Sequence, residues 1–156
     1  MVLSKPRYVE NAVCTSISTE KDIDFNSVVK QMIEICRLNK GVGLAAPQVG
    51  IMKRFFICHD INFAWKLFIN PVYVGDSSKY DTIEGCLTYG PNVHYTVQRY
   101  TKIRATWQEI AFDGELKNKS EIFENVIAQI FQHETDHVNG ITIAMIGQKI
   151  SEPKLI

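Results

Sequence analysis

His133 and His137 stand four positions apart in the run His133-Glu134-Thr135-Asp136-His137. On a helix, such positions share a face one turn apart, so both imidazoles can reach a single ion. Two half-buried histidines near the end of an amphipathic helix are, taken alone, the commoner arrangement. Glu134 reverses that balance, because a carboxylate next to the first histidine sits where metal-assisted hydrolysis needs its general base. Hydrolytic centres normally take three protein ligands and keep one position for water. The third ligand is sought in Glu84-Gly85-Cys86-Leu87-Thr88, where Gly85 lets the backbone at Cys86 come close to an ion. A thiolate beside a dication is deprotonated outright, so Cys86 would replace the carboxylate or third imidazole of other metallohydrolases. Cys14, Cys36 and Cys58 read as small buried hydrophobes. A set of one Cys and two His suits zinc, iron(II), cobalt or nickel, and ligand type alone does not choose among them.

Holding these residues requires a helix near the C-terminus. Ile122, Phe123, Val126, Ile127, Ile130 and Phe131 form an apolar stripe, with a capping-box-like start over 118–121 and a stop at Asn139-Gly140, so a helix is expected over roughly 120–138. A first helix is expected over roughly 26–39, with Asn26 as N-cap and Gly41 as stop. The glycine-rich stretch 41–50 reads as loop. Runs 54–58, 66–70 and 72–75 read as short strands and 76–79 as a polar turn. The stretch 95–112 reads as half-buried strands, ending at the hairpin signal Asp113-Gly114. Residues 1–25 are expected to be an irregular lead-in, and 141–156 a strand plus a short tail. The order helix, several strands, helix predicts an α+β fold in one domain spanning 1–156, not an alternating parallel α/β pattern.

Composition sets outer limits. A chain of 156 residues with 46% apolar and 22% charged residues can build one core. Seventeen basic residues balance seventeen acidic ones, which argues against nucleic-acid or anionic-membrane partners. No leader-like apolar segment opens the sequence and no apolar run is long enough for a bilayer, so a cytoplasmic location is expected. Four cysteines without paired spacing predict reduced thiols.

Three segments, Gly41-Val42-Gly43-Leu44-Ala45-Ala46-Pro47-Gln48, Glu84-Gly85-Cys86-Leu87 and His133-Glu134-Thr135-Asp136-His137, resemble in order the signature motifs of peptide deformylases. The resemblance covers roughly residues 25–140. It implies short antiparallel and mixed sheets packed around a C-terminal helix that carries the metal motif. It implies hydrolysis of the formyl group from the N-terminal formylmethionine of new polypeptides, with Cys86, His133 and His137 on one ion and Glu134 moving the proton. Fe(II) would be the physiological ion, with zinc, nickel or cobalt able to replace it. Gln48 and the backbone N–H of Leu87 would stabilise the developing oxyanion. Val42, Gly43, Glu84 and Gly85 would face substrate. So would Val126, Gln129 and Ile130, which lie seven, four and three residues before His133 on the same helix face. Arg99 would pair with Glu84, and Asp136 and Glu84 would support the ligands, without the sequence saying which histidine each serves. The implied partners are N-formylmethionyl nascent peptides near the ribosome, met by a monomer.

Two departures stand out. Thr88 replaces the usual Ser, and Tyr89-Gly90-Pro91 replaces a more usual apolar-Pro pair, which changes the path just after Cys86. The segment after Gly140 is too short for the long C-terminal helix of many bacterial members and fits a compact, virus-encoded one.

Two rival readings remain at this level: a zinc metalloprotease using only His133, Glu134 and His137, and a non-catalytic peptide-binding relative. They part from the deformylase reading at Cys86. Cys86→Ala is expected to lose its metal, measured by elemental analysis of the purified protein; unchanged metal content would favour the protease.

Overall fold

The computed structural model describes residues 3, 6 and 9–150. Residues 151–156 of the strand and tail expected over 141–156, and part of the lead-in expected over 1–25, lie outside the described residues. What is described of the lead-in is irregular except for a 3-10 turn at Glu20–Asp22 and one bridge between Thr15 and Lys53. Helix α1 (Phe25–Leu38) starts earlier than expected, because the Asp24 carboxylate, not Asn26, accepts the free Ser27 amide at 3.3 Å.

The described strands are β1 (Gly43–Ala45), β2 (Phe55–His59), β3 (Trp65–Gly75), β4 (Lys79–Glu84), β5 (Tyr95–Tyr100), β6 (Lys102–Ile110), β7 (Leu116–Glu124) and β8 (Gln148–Lys149). They form an antiparallel sheet in the order β1-β2-β3-β6-β7 and a smaller one in the order β4-β5-β8. With helix α2 (Asn125–Val138) packed against both, the expected α+β architecture is present.

Several boundaries differ from the sequence expectation, each for a physical reason. Residues 41–50 are not wholly loop: they contain β1 and a 3-10 turn, Ala46–Val49, closed by Gly50 at φ 86. The two strands expected on either side of Pro71 are one, β3, since the register shift between Ile69 and Val72 excuses proline from donating to the ladder. Strand β4 was not expected from its polar start, yet β5 pairs with it from Lys79↔Tyr100 to Glu84↔Tyr95. Helix α2 begins at Asn125 and not near 120, because residues 116–124 find a complete partner in β6, from Lys102↔Glu124 to Ile110↔Leu116. Most of β7 is exposed and only Phe123 is buried, with its neighbour Ile122 on the solvent side, and Asn125 at φ 57 makes the break into the helix. After Gly140 the expected strand gives way to one helical turn, α3 (Ile143–Ile146), and only then to β8.

The core explains why β2 reads as a continuous apolar run. Phe55 and Ile57 pack with Val28, Met32 and Cys36 of α1, while Phe56 and Cys58 pack with Phe68, Trp107, Phe123 and Phe131 on the α2 side. A strand covered on both faces has no solvent side to make polar. Phe131 is the centre of the second cluster, with its ring 5.3 Å from Phe56, 5.2 Å from Phe68 and 5.5 Å from Phe123. It locks α2 onto the sheet two residues before the first histidine.

Phe131→Ala is expected to lower the unfolding free energy by about 3–5 kcal/mol. Urea denaturation checks this, and a change below about 1 kcal/mol would mean that α2 is held by something other than this aromatic cluster.

Candidate metal centre

Helix α2 carries His133 and His137 on one face, and Cys86 stands two residues after the end of β4. Their ligand atoms lie within 4.8 Å of one another. Cys86 Sγ is 3.4 Å from His137 Nε2, and the two Nε2 atoms are 3.1 Å apart. The far side of each ring settles the tautomer: His133 Nδ1 lies 2.8 Å from Glu84 Oε1 and His137 Nδ1 lies 3.1 Å from the Ile141 carbonyl. Both partners are pure acceptors, so each Nδ1 carries hydrogen and both Nε2 atoms are left to share one proton across 3.1 Å or to turn their lone pairs to an ion in its place. Two ring nitrogens and a thiol sulfur therefore converge on one point, a donor set that fits a divalent cation of the zinc or iron(II) kind. The protein competes for the same point with a proton: burial opposes an imidazolium at His133, but hydrogen bonds to Cys86 and Glu84 outweigh it and raise its pKa. Burial and the neighbouring His133 push His137 well below its ordinary value.

Behind the histidines lies a buried ionic network. Arg99, from β5, is only 2% exposed. Its Nε and Nη2 donate to the two oxygens of Glu84 at 2.9 Å each, and Nη1 donates to Asp136 at 2.6 Å. Thr82 donates to Glu84 at 2.6 Å, and Tyr73 donates to Asp136 at 2.8 Å. This corrects one assignment: Asp136 touches Arg99 and Tyr73 and serves neither histidine. Glu84 lines the cavity described below, with both its oxygens engaged by Arg99, Thr82 and His133. Tyr73, Thr82 and the Ile141 carbonyl escaped sequence reasoning, and no local pattern marks them, because their contacts reach across the fold.

Glu134 is buried, and its Oε2 has no hydrogen-bond partner. Burial pushes its pKa up to about 7. Gly43 makes room for it, since a Cβ there would stand 2.8 Å from Glu134 Oε1. Gln48 is buried as well, unlike an ordinary loop glutamine. Its Oε1 accepts from the Ala45 amide at 2.9 Å, which turns its Nε2 toward Thr88 Oγ1 at 3.1 Å and Cys86 Sγ at 3.5 Å. All of this opens on a cavity of about 420 Å³ that Val42, Leu87, Gln129 and Ile130 also line. Gly85 and His94 lie on the same wall. Val126 does not line it and is 67% exposed, one turn too far along the helix to reach inward.

Comparison with known proteins supplies the deciding observation. A family model described as polypeptide deformylase matches residues 2–152. The chain belongs to the polypeptide deformylase family. Removing the formyl group from newly made polypeptides is that family's activity. A peptide deformylase of Fusobacterium nucleatum is 33% identical over 147 residues, covering 90% of this chain and 81% of that one. The crystal structure of peptide deformylase from Thermotoga maritima is similar at a TM-score of 0.80 and 29% identity, over 94% of this chain and 97% of that one. A probable peptide deformylase from synechococcus phage S-SSM7 is similar at a TM-score of 0.77 and 27% identity, over 92% of this chain and 99% of that one.

The ionic network predicts a pH response. Burial works against the Glu84 carboxylate, but Arg99 and His133 hold its pKa far below the ordinary carboxylate range. A folded-state pKa below the unfolded one gives stability that is present above the unfolded value and lost as pH falls toward the folded one. The urea midpoint of the native protein is therefore expected to drop between about pH 4.5 and pH 2, with Glu84→Gln giving a flatter curve over that window. Parallel curves would remove Glu84 from the acid response.

Proposed function

We propose that this chain hydrolyses the formyl amide of N-formylmethionyl peptides at the centre formed by Cys86, His133 and His137. The observation that carries the reading is the unpartnered Glu134 oxygen, buried on the same cavity as Cys86, His133 and Gln48. A structural carboxylate in that position would be paired. A divalent ion held by the three ligands supplies Lewis acidity, which makes water a competent nucleophile near neutral pH.

The protein's own groups do the rest. Glu134, with a pKa pushed up to about 7, accepts the proton from the attacking water and returns it to the leaving amine. Gln48 Nε2 and the Leu87 amide donate to the formyl oxygen as its charge grows. Glu84 and the Ile141 carbonyl keep both imidazoles aimed through their Nδ1 atoms. Val42 and Ile130 give the methionine side chain an apolar wall, and Gln129 offers a polar contact to the peptide. Fe(II) is the physiological ion in this reading, with zinc, nickel or cobalt able to replace it. The protein acts as a cytoplasmic monomer on nascent chains near the ribosome. Among the described residues no helix is long and apolar enough to cross a membrane.

Anaerobically prepared, iron-loaded protein is expected to release formate from a formyl-methionyl peptide. Glu134→Ala should lose about 10²–10⁴-fold in kcat/KM while keeping its metal. Equal formate release by both proteins would sink the mechanism.

A further inference from the structure

The loop that carries Cys86 is tied to the rest of the metal site by a residue outside the signature motifs. Tyr89 N–H donates to the Cys86 carbonyl at 3.0 Å, closing a tight turn around the sulfur ligand. The Tyr89 ring is half-buried against Tyr95, at 5.8 Å between centroids, in the cluster that holds Cys86, Val97 and Ile143. At its far end the hydroxyl donates to Thr142 Oγ1 at 2.8 Å, and Glu10 Oε1 is more distant at 3.4 Å. Thr142 is 1% exposed and follows Ile141, whose carbonyl orients His137.

The contact thus links two ligands that come from different parts of the chain. From Cys86 it runs through a four-residue turn to Tyr89, across the hydroxyl to Thr142, and through one peptide unit to the carbonyl that aims His137. An apolar side chain at position 89 could fill the same cluster but could not make this bond.

We infer that Tyr89 is a positioning residue that sets the spacing of Cys86 and His137 through its hydrogen bond to Thr142, and so tunes how firmly and in what geometry the metal is held. The inference rests on the metal centre proposed above. It does not require that the substrate be a formyl peptide.

The test uses the full chain loaded with cobalt(II), whose ligand-field and thiolate charge-transfer absorption reports ligand geometry directly. Tyr89→Phe keeps the ring and removes the bond. It should shift the cobalt spectrum and speed metal release to a chelator by about 10-fold, the lower end of what loss of an outer partner of a metal ligand costs. Thr142→Val should reproduce both effects and Thr142→Ser should restore native behaviour. In the double variant Tyr89→Phe/Thr142→Val the effects should not add, because both changes delete the same bond. For formyl-methionyl peptides, kcat should fall in Tyr89→Phe with KM little changed. These spectra and release rates need no substrate, so they stand even if deformylation itself fails. An unchanged spectrum and release rate in a folded Tyr89→Phe would overturn the inference. So would Glu10→Ala reproducing the effect while Thr142→Val leaves it absent.

Discussion

A guanidinium cannot be left alone in a protein interior, and Arg99 is almost wholly buried. Two carboxylates answer it, Glu84 from the end of β4 and Asp136 from α2, and hydroxyls of Thr82 and Tyr73 fill the remaining acceptor sites. Removing one member would strand an uncompensated charge, a cost of about 3–5 kcal/mol. The network therefore holds the small sheet and α2 in one relative position. Cys86 comes from the first of these bodies and the two histidines from the second, so the shape of the ligand set depends on that lock.

Charge bookkeeping in the same volume points to what the site is built around. Glu84 and Asp136 carry two negative charges against the single positive charge of Arg99, so the buried network is net negative before any ligand is counted. A cation held by Cys86, His133 and His137 would offset that charge. The orientation of the rings points the same way, since both Nδ1 hydrogens are committed to acceptors and both Nε2 atoms face inward. The charge of the network and the aim of the rings both favour a cation at this point.

How much of this could be read from the chain depends on how far apart the interacting residues lie. His133 and His137 were legible because a helix repeat brings them together whatever the rest of the fold does. The α+β order was legible from periodicity. The start of α2 was not, since Ile122 and Phe123 fit a helical stripe as well as a strand, and only the partner strand β6 decides between them. Pairings across the fold were equally hidden: Asp136 reaches Tyr73 and Arg99, and Glu84 reaches His133, without any local signal. Which carboxylate supports a histidine is a fact of sheet placement. Val126 shows the same limit from the other side: helical spacing put it on the ligand face, but the path of α2 past the cavity leaves it in solvent.

Glu134 shows why such a site has to be dry and yet unfinished. Burial lifts its pKa to about 7, close to where a group can both take and give a proton at neutral pH. The same burial would be only a liability if the oxygen had no use, because an unpaired buried acceptor costs about 1–3 kcal/mol. Filling that place with a hydrogen-bond donor would stabilise the fold and lower the pKa, removing the base. Gly43 keeps side-chain atoms away from Glu134 Oε1, and Gln48, on the same cavity, is turned by the Ala45 amide toward Thr88 and Cys86. The motifs around the cavity thus share one constraint, to shield Glu134 from bulk water without satisfying it, and the stability forgone at that atom is what keeps the proton movable.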